Sequence, residues 1–546
     1  MVAPLILLAS AVLAAPPVCS GPSWFREGDQ TDCRLGTVAP AGDVNGDGFA
    51  DVLIGSYRYS LPEQYEGVIF VYLGSLAGLS STPACTLQVD QAGARFADKL
   101  STAGDVNGDG YADVVSGAAQ YSDPELHEGK ALLFMGGPGG LSTTPAWSAE
   151  RNQAEAEFGA SMASAGDVNG DGYDDVAVGS WLYDNGQLNE GAVWVYMGSD
   201  TGLADVAAWS AESNSAGAAF GYRALTAGDL NADGYDDLVI GARRYSGDGV
   251  TREGRAYVYL GGPAGLAATP VWTYDGNAPE TELGNTVGAA GDVNHDGYGD
   301  LIIGAYRWDA GGTDRGKALL FLGGPGGPAA TPVWTYEGAP NELFGYHCVG
   351  LGDVDGDHFD DVLIGAPQHV AQGLSNAGAA YLFLGDSTGL AAAPAWMREG
   401  DQAGESYGNA VGAAGDVDHD SHADFLVGIL YQDNAWVDAG RAELYRGCRT
   451  TTAVPPSEAT QLALAAHPVP ARGDVEFSFA LDRASLVRLT IHDVAGREIA
   501  RLLDRTLGPG PHRARWPRAA ARAGVYFVRL SIEGGSAAAI PLVLLE

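Results

Sequence analysis

Positive charge is what this sequence has least of. Against 69 Asp and Glu, the 546 residues carry only 30 Lys and Arg, giving a formal net charge of -39 and a pI near 4.3. That balance excludes an electrostatic grip on nucleic acid or on an anionic membrane. Cysteine is scarce as well. Cys19, Cys33, Cys85, Cys348 and Cys448 show no CxxC and no regular spacing, so neither a zinc site nor a disulfide scaffold is indicated. One of the five must stay unpaired in a monomer, and Cys19 with Cys33 or Cys33 with Cys448 remain open as bridges. Long hydrophobic runs are absent too, since nothing approaches the ~18 apolar residues of a membrane span, and no transmembrane segment is expected. The run Leu5 to Leu13, followed by the small residues Ala14 and Ala15, reads as a secretory signal over residues 1–18, although no Lys or Arg precedes it.

What the chain does contain is glycine, 79 of it, with 46% hydrophobic and only 18% charged residues. This is too apolar for an acidic disordered tail and too rich in glycine for a helical protein. Many short strands joined by tight turns are expected. The organising feature is a repeat: Asp43-Val-Asn45-Gly-Asp47-Gly-Phe-Ala-Asp51 recurs with its first Asp at Asp105, Asp167, Asp229, Asp292, Asp353 and Asp416, in steps of 62, 62, 62, 63, 61 and 63. Trp24, Trp147, Trp209, Trp272, Trp334 and Trp396 run in phase, with Cys85 in the second slot. Each copy holds four short period-two segments separated by turns, the pattern of four antiparallel strands. Seven such copies over residues 22–448 predict an all-β fold, a seven-bladed β-propeller of four-stranded antiparallel blades.

The phase of the repeat also predicts how the ring closes. Trp24-Phe-Arg-Glu27-Gly-Asp-Gln30 nearly repeats Trp396-Met-Arg-Glu399-Gly-Asp-Gln402, and no tryptophan strand follows Tyr445. The N-terminal strand is therefore expected to complete blade seven. The tryptophans themselves are expected to pack between blades.

The repeated loop carries the chemistry. In D-x-[ND]-x-D-G-x-x-D, oxygen side chains fall at positions 1, 3, 5 and 9. Hard oxygen donors suit Ca²⁺, which takes ~6 to 8 oxygens at about 2.3 to 2.6 Å, better than Mg²⁺, which demands tighter octahedral geometry. A glycine at position 6 allows the left-handed turn that would bring position 9 back to the ion. A single copy would be explained as a hairpin turn. Seven copies in phase, each with three or four acids that repel without a cation, argue for metal.

The expected ligands are Asp43, Asn45, Asp47 and Asp51; Asp105, Asn107, Asp109 and Asp113; Asp167, Asn169, Asp171 and Asp175; Asp229, Asn231, Asp233 and Asp237; and Asp292, Asn294, Asp296 and Asp300. Loops six and seven supply Asp353, Asp355, Asp357 and Asp361, and Asp416, Asp418, Asp420 and Asp424. There His358 and Ser421 replace the position-6 glycine, while Asp355 and Asp418 add charge. Up to seven Ca²⁺ are implied, and the loop acids account for 23 of the 69.

These residues resemble the FG-GAP repeat of the integrin α-subunit propeller. The first word appears as Phe158-Gly159, Phe220-Gly221 and Phe344-Gly345, and the second as Gly365-Ala366-Pro367, Gly241-Ala242 and Gly304-Ala305. The resemblance implies that the calcium loops join the first and second strands on a lower face and that partners bind the upper face. Loops after the second strand carry Tyr57, Tyr59, Trp181, Tyr183, Arg243, Tyr245, Tyr306 and Trp308, with Tyr431 and Trp436. Aromatics beside arginine are enriched at binding hot spots, so these form the candidate ligand face. The competing reading is that they cap the blade tops.

After Cys448, residues 449–460 read as a linker and residues 461–546 as a separate module. Runs such as Val475 to Leu481 and Val525 to Ile532 alternate like sandwich strands. The words His467-Pro-Val-Pro470, Asp493-Val-Ala-Gly496-Arg497 and Gly524-Val-Tyr-Phe-Val-Arg529 resemble the Ig-like domain of the flagellar hook-capping protein and the C-terminal sorting domain of type IX secretion.

The reading is a secreted or cell-surface calcium-binding propeller that mediates adhesion to an extracellular protein or glycan ligand, with attachment to a bacterial outer surface. Catalysis is not expected, because the carboxylates are committed to metal loops and no Ser/His/Asp or Cys/His constellation is evident. The alternatives are an enzyme acting on extracellular polysaccharide or phospholipid, and a purely structural surface component.

Overall fold

Short apolar strands cannot bury a face alone, so each repeat must stack on its neighbours. The structure is a computed structural model that describes residues 17–448 except 20 and 310–312, and the strands and several connections between 465 and 544. Two compact units are present, one in each of these stretches.

In the first unit six four-stranded antiparallel sheets each use one repeat in order, as in Leu35–Gly42, Asp51–Ser56, Val68–Tyr72 and Cys85–Leu87. The seventh sheet orders Tyr407–Gly415, Asp424–Ile429, Arg441–Tyr445 and then the N-terminal strand Trp24–Glu27. Trp24 stands opposite Leu444 and Glu27 opposite Arg441. Val38, Val52 and Ile54 of the first sheet share a buried cluster with Ala410, Val417 and Leu444 of the seventh. The seven sheets thus follow one another as a propeller and the last packs on the first, with the N-terminal strand as the clasp.

The second strands depart from a period-two pattern. All six residues of Asp51–Ser56, and of its counterparts such as Asp175–Ser180, are buried, because a blade interior is covered by neighbours on both faces. There the sheets come so close that the two repeated words are halves of one contact: a Cβ on Gly117 would stand 1.9 Å from the carbonyl oxygen of Gly159 in the next blade. Tryptophans pack between blades, as expected. Trp147 meets Tyr196 of the next blade edge to face at 4.8 Å, and its indole N–H donates to Ala204 O at 3.2 Å.

Closure is reinforced covalently, by neither of the two bridges left open above. Residues from Pro17 onward run antiparallel to the segment ending at Cys448. Cys448 N–H donates to Pro17 O at 2.9 Å, and Cys19 N–H to Arg446 O at 3.1 Å. That pairing brings Cys19 to Cys448 with a Cα separation of 5.6 Å, and the two form the disulfide. Cys33 is instead buried with its thiol donating to Ala439 O, and Cys85 and Cys348 are also free. Pro17 and Val18, the last two residues of the expected signal, pair with the propeller. The rest of that expectation and the linker at 449–460 lie outside the described residues.

The second unit is a two-sheet sandwich. Ala465–His467, Val475–Leu481 and Gly510–Trp516 form one sheet. Glu498–Leu507, Ser485–Asp493, Gly524–Ile532 and Ala537–Leu544 form the other. Phe477, Phe479 and Trp516 meet Leu489, Ile491 and Val528 in its core.

Because the disulfide closes nearly the whole ring, Cys448→Ser should cost roughly 2–5 kcal/mol. Deleting residues 22–31 should lower the melting temperature further. Thermal melts test both, and a truncated chain that melts with the intact one would contradict the clasp.

Candidate metal centres and the opposite face

Each acidic loop begins at a bulge where the first strand ends on a left-handed glycine, such as Gly104 at φ +77°. The chain then winds around the first acid. Asp43 Oδ1 accepts from Gly46 N–H at 2.7 Å and Asp47 N–H at 3.1 Å, and its Oδ2 accepts from Gly48 N–H at 2.8 Å. Asn45 Oδ1 accepts from Asp47 N–H at 2.9 Å while its amide donates to Asp47 Oδ2 at 3.0 Å. The same Asn-to-Asp bond recurs in loops two to five at 2.9–3.0 Å. Positions 1, 3 and 5 therefore converge in all five.

Loops six and seven keep the shape without the glycine, His358 and Ser421 holding φ of +75° and +72°. With Asp at position 3 they gather three carboxylates each. Asp353, Asp355 and Asp357, and likewise Asp416, Asp418 and Asp420, place one oxygen apiece within 4.8 Å of one another. Asp418 Oδ1 is buried without a hydrogen-bond partner. An all-oxygen set with converging carboxylates and a stranded buried oxygen fits a hard divalent cation. In loop seven Arg446 lies 2.7 Å from Asp418 Oδ2, so part of the added charge is already met.

Position 9 does something the sequence does not announce. Asp51 is fully buried, its Oδ2 accepting from Val44 N–H at 3.0 Å and its Oδ1 from Gly74 N–H at 2.8 Å, across to the end of the third strand. Asp113, Asp175, Asp237, Asp300, Asp361 and Asp424 repeat this pair of bonds. Neither Asp361 nor Asp424 joins the three-carboxylate clusters. The role expected for position 9, returning to the ion, is thus preceded by a scaffold role, with each oxygen already engaged by an amide. Burial pushes the Asp51 and Asp175 carboxyls up to about 7, the amide bonds oppose it, and the neighbouring loop acids add to it.

Between loops runs a link that no single repeat could reveal. The position-8 N–H of each loop donates to the position-1 carbonyl of the loop before: Ala112 to Asp43 at 2.9 Å, Asp174 to Asp105 at 3.1 Å, Asp236 to Asp167 at 3.1 Å and Gly299 to Asp229 at 2.9 Å. Asp360 to Asp292 at 3.3 Å, Ala423 to Asp353 at 2.8 Å and Ala50 to Asp416 at 3.2 Å complete the circle. The side chains of Asp174, Asp236 and Asp360 add a second bond, each accepting from the position-1 N–H of the preceding loop at 2.7–3.0 Å.

On the opposite face most of the predicted aromatics are already occupied. Tyr57 is buried and takes a bond from Arg34, and Tyr59 and Tyr183 pack edge to face on Phe70 and Trp194. Trp181 packs on Tyr222 with Arg243 over both rings, and Tyr306 O–H donates to Glu282 at 2.8 Å. Tyr245 and Trp308 lie under Arg255 and Lys317. These residues are packed on neighbouring rings or cations at the blade tops, and apart from Tyr57 they remain partly exposed. Trp436 is the exception, being 48% exposed.

Sequence reasoning also missed Glu66, Glu128, Glu190 and Glu253, which are buried and accept from the loop amides of Leu61, Asp123, Asn185 and Gly247 at 2.6–3.0 Å. Their spacing of 62, 62 and 63 residues, in phase with the acidic loops, was the available signal.

Compared with known families, the chain matches the FG-GAP repeat at residues 35–72, 96–131, 158–196, 220–259, 284–321 and 349–383. It is similar to integrin alpha-5 of Xenopus laevis, 34% identical over 218 residues, which is 38% of this chain and 20% of that protein. It is also similar to integrin alpha-PS2 of Drosophila melanogaster, 34% identical over 216 residues, 37% of this chain and 14% of that one. Phosphatidylinositol-glycan-specific phospholipase D of Homo sapiens is 33% identical over 227 residues, 39% of this chain and 26% of the relative. The chain thus spans a quarter or less of the length of most of these relatives. Among solved structures, PorZ, described as an essential bacterial surface component of the type-IX secretion system of Porphyromonas gingivalis, aligns at 13% identity and a TM-score of 0.28, over 91% of this chain and 64% of that one.

The two roles of loop acids separate by mutation. Asp175→Ala strands two buried amides and should cost about 2 kcal/mol or more with or without a chelator. Asn169→Ala, which loses exposed hydrogen bonds within the loop, should lower stability much more in calcium than in chelator. Denaturant unfolding in calcium and in chelator measures both, and equal behaviour of the two variants would contradict the division.

Proposed function

The chain is an FG-GAP repeat β-propeller, and from that premise we propose that it is an extracellular or surface-displayed binding module. Calcium held by the acidic loops stiffens one face, and the other face takes a protein partner. Asp and main-chain oxygens of each loop, with Asn in loops one to five, hold the ion, whose contribution is to neutralise acids that otherwise repel.

One observation carries the choice of face. The loops after the second strand, opposite the acidic loops, expose apolar side chains in blade after blade: Leu61 (43%), Leu126 (56%), Leu188 (69%), Val370 (52%), Trp436 (48%) and Val437 (59%). Arg58, Arg244, Arg252 and Arg307 stand on this same set of loops. Repeated exposed apolar groups among arginines and tyrosines are the composition of a protein-docking surface. The acidic-loop side also exposes Leu76, Val206, Val271 and Val333, but there they share the face with the seven acidic loops.

Adhesion is the use most in keeping with this design, and no catalytic role is assigned. No helix among the described residues is long and apolar enough to cross a membrane. On the resemblance of its sequence words, the C-terminal sandwich is assigned to export or surface attachment.

Two measurements test the proposal. An ion bound only by the folded state at a hundredfold excess over its Kd contributes about 2.7 kcal/mol per site, so chelation should lower the melting temperature markedly. An unchanged melt would contradict the metal. Binding of the purified chain to intact cells should fall with chelator and with Leu188→Glu plus Trp436→Glu, and binding indifferent to both would contradict the face.

A further inference from the structure

The inner strands of all seven blades enclose a cavity of about 530 Å³ whose charge opposes that of the chain. Lys99, Arg223 and His347 hold one repeat position in blades two, four and six, each five residues before the bulge glycine, and are spaced 124 residues apart. Ser161 and Thr286 hold that position in blades three and five. Arg95 and Asp98 are the other charged groups of the wall. Three permanent cations therefore face a single acid in a molecule of net charge -39.

Asp98 is taken up by Arg95 at 3.2 Å and Lys99 at 3.7 Å, and these cations, with Arg223, hold its carboxyl below the usual range against the opposing effect of burial. Arg223 has no carboxylate within 4.0 Å among the described residues, and its Nε is buried without an acceptor. His347 Nδ1 accepts the Val411 N–H at 3.0 Å. Burial and the charges of Arg223 and Lys99 hold that imidazole well below its ordinary pKa, so it stays neutral. A half-buried guanidinium with no direct ion pair, sharing one distant carboxylate with two other cations, is costly unless a ligand supplies an acceptor.

Lys99, Arg223 and His347 stand opposite Gly117, Gly241 and Gly365, the last residue but one of each second strand. Antiparallel topology puts that end of the second strands on the side away from the acidic loops, the side that exposes Leu188 and Trp436. Tyr57, Tyr222, Tyr346 and Tyr431 line the same cavity and offer ring edges and hydroxyls around the charge. We propose that this central cavity is a receptor for a carboxylate, filled by an acidic side chain of the protein partner that docks on the surrounding apolar loops. The assignment rests on reading this face as the docking face, and adds to it the partner's chemistry. Apolar groups around a cationic pocket favour an acidic peptide over a free acidic sugar, whose polar rim they would not complement.

The test uses the full chain in excess calcium and fluorescently labelled hexaglutamate, with hexaglutamine and trigalacturonate as the other arms. Hexaglutamate should bind and weaken with rising salt, hexaglutamine should not bind, and trigalacturonate should bind less tightly. Arg223→Gln and Lys99→Gln should each weaken hexaglutamate by about tenfold, with Arg223→Lys restoring most of the loss and the melting temperatures staying within a few degrees of the parent. Equal binding of hexaglutamine, or indifference of both variants, overturns the receptor. Tighter binding of trigalacturonate overturns the protein assignment. Calcium-dependent cell binding that survives Arg223→Gln unchanged sinks this inference alone and leaves the docking face standing.

Discussion

The ring depends on a circle of seven backbone hydrogen bonds in which each acidic loop donates from position 8 to the carbonyl of position 1 in the loop before it. Position 1 is also the acid around which its own loop winds. The residue that organises a loop is thus the one its neighbour holds. Whatever fixes one loop bears on the next, and the last bond, from Ala50 to Asp416, joins blade one to blade seven without any covalent help. A cation in such a loop would stabilise a joint between blades as well as a turn.

The two faces divide the labour of charge. Acids collect where strands one and two turn, and position 9 ties that turn to the end of the third strand through two amides. On the far side, buried glutamates brace the loops from within, arginines lie over tyrosine and tryptophan rings, and leucines and a tryptophan are left in solvent. The excess of cations over acids at the centre of that side, three against Asp98, carries the same segregation into the cavity.

Much of this was legible in the sequence, for physical reasons. A ring of equivalent blades forces a constant spacing, so the 62-residue period fixed the blades, and the repetition of the Trp24 words at Trp396 disclosed the clasp. What was hidden lay outside the period or between copies. Cys19 and Cys448 fall beyond the repeat, and only the antiparallel course of the chain ends brings them together. The bonds from loop to loop join residues a whole blade apart, and position 9 acts through an amide at the far end of the third strand of its own blade. How the aromatics of the upper loops pack was also hidden, because residue type does not show burial. Tyr57 turned out to be buried and Trp181 packed under arginines. The cavity escaped because Lys99, Arg223 and His347 alternate with Ser161 and Thr286, and a period of two blades is easily missed within a period of one.

The claim that the loops act as one calcium-stiffened belt is tested most directly by hydrogen exchange of the position-8 amides of Ala50, Ala112, Asp174, Asp236, Gly299, Asp360 and Ala423, with calcium and with chelator. The belt predicts strong protection in calcium and a joint loss of protection in all seven loops when the ion is withdrawn. Exchange that ignores calcium, or that changes in single loops while their neighbours stay protected, would contradict it.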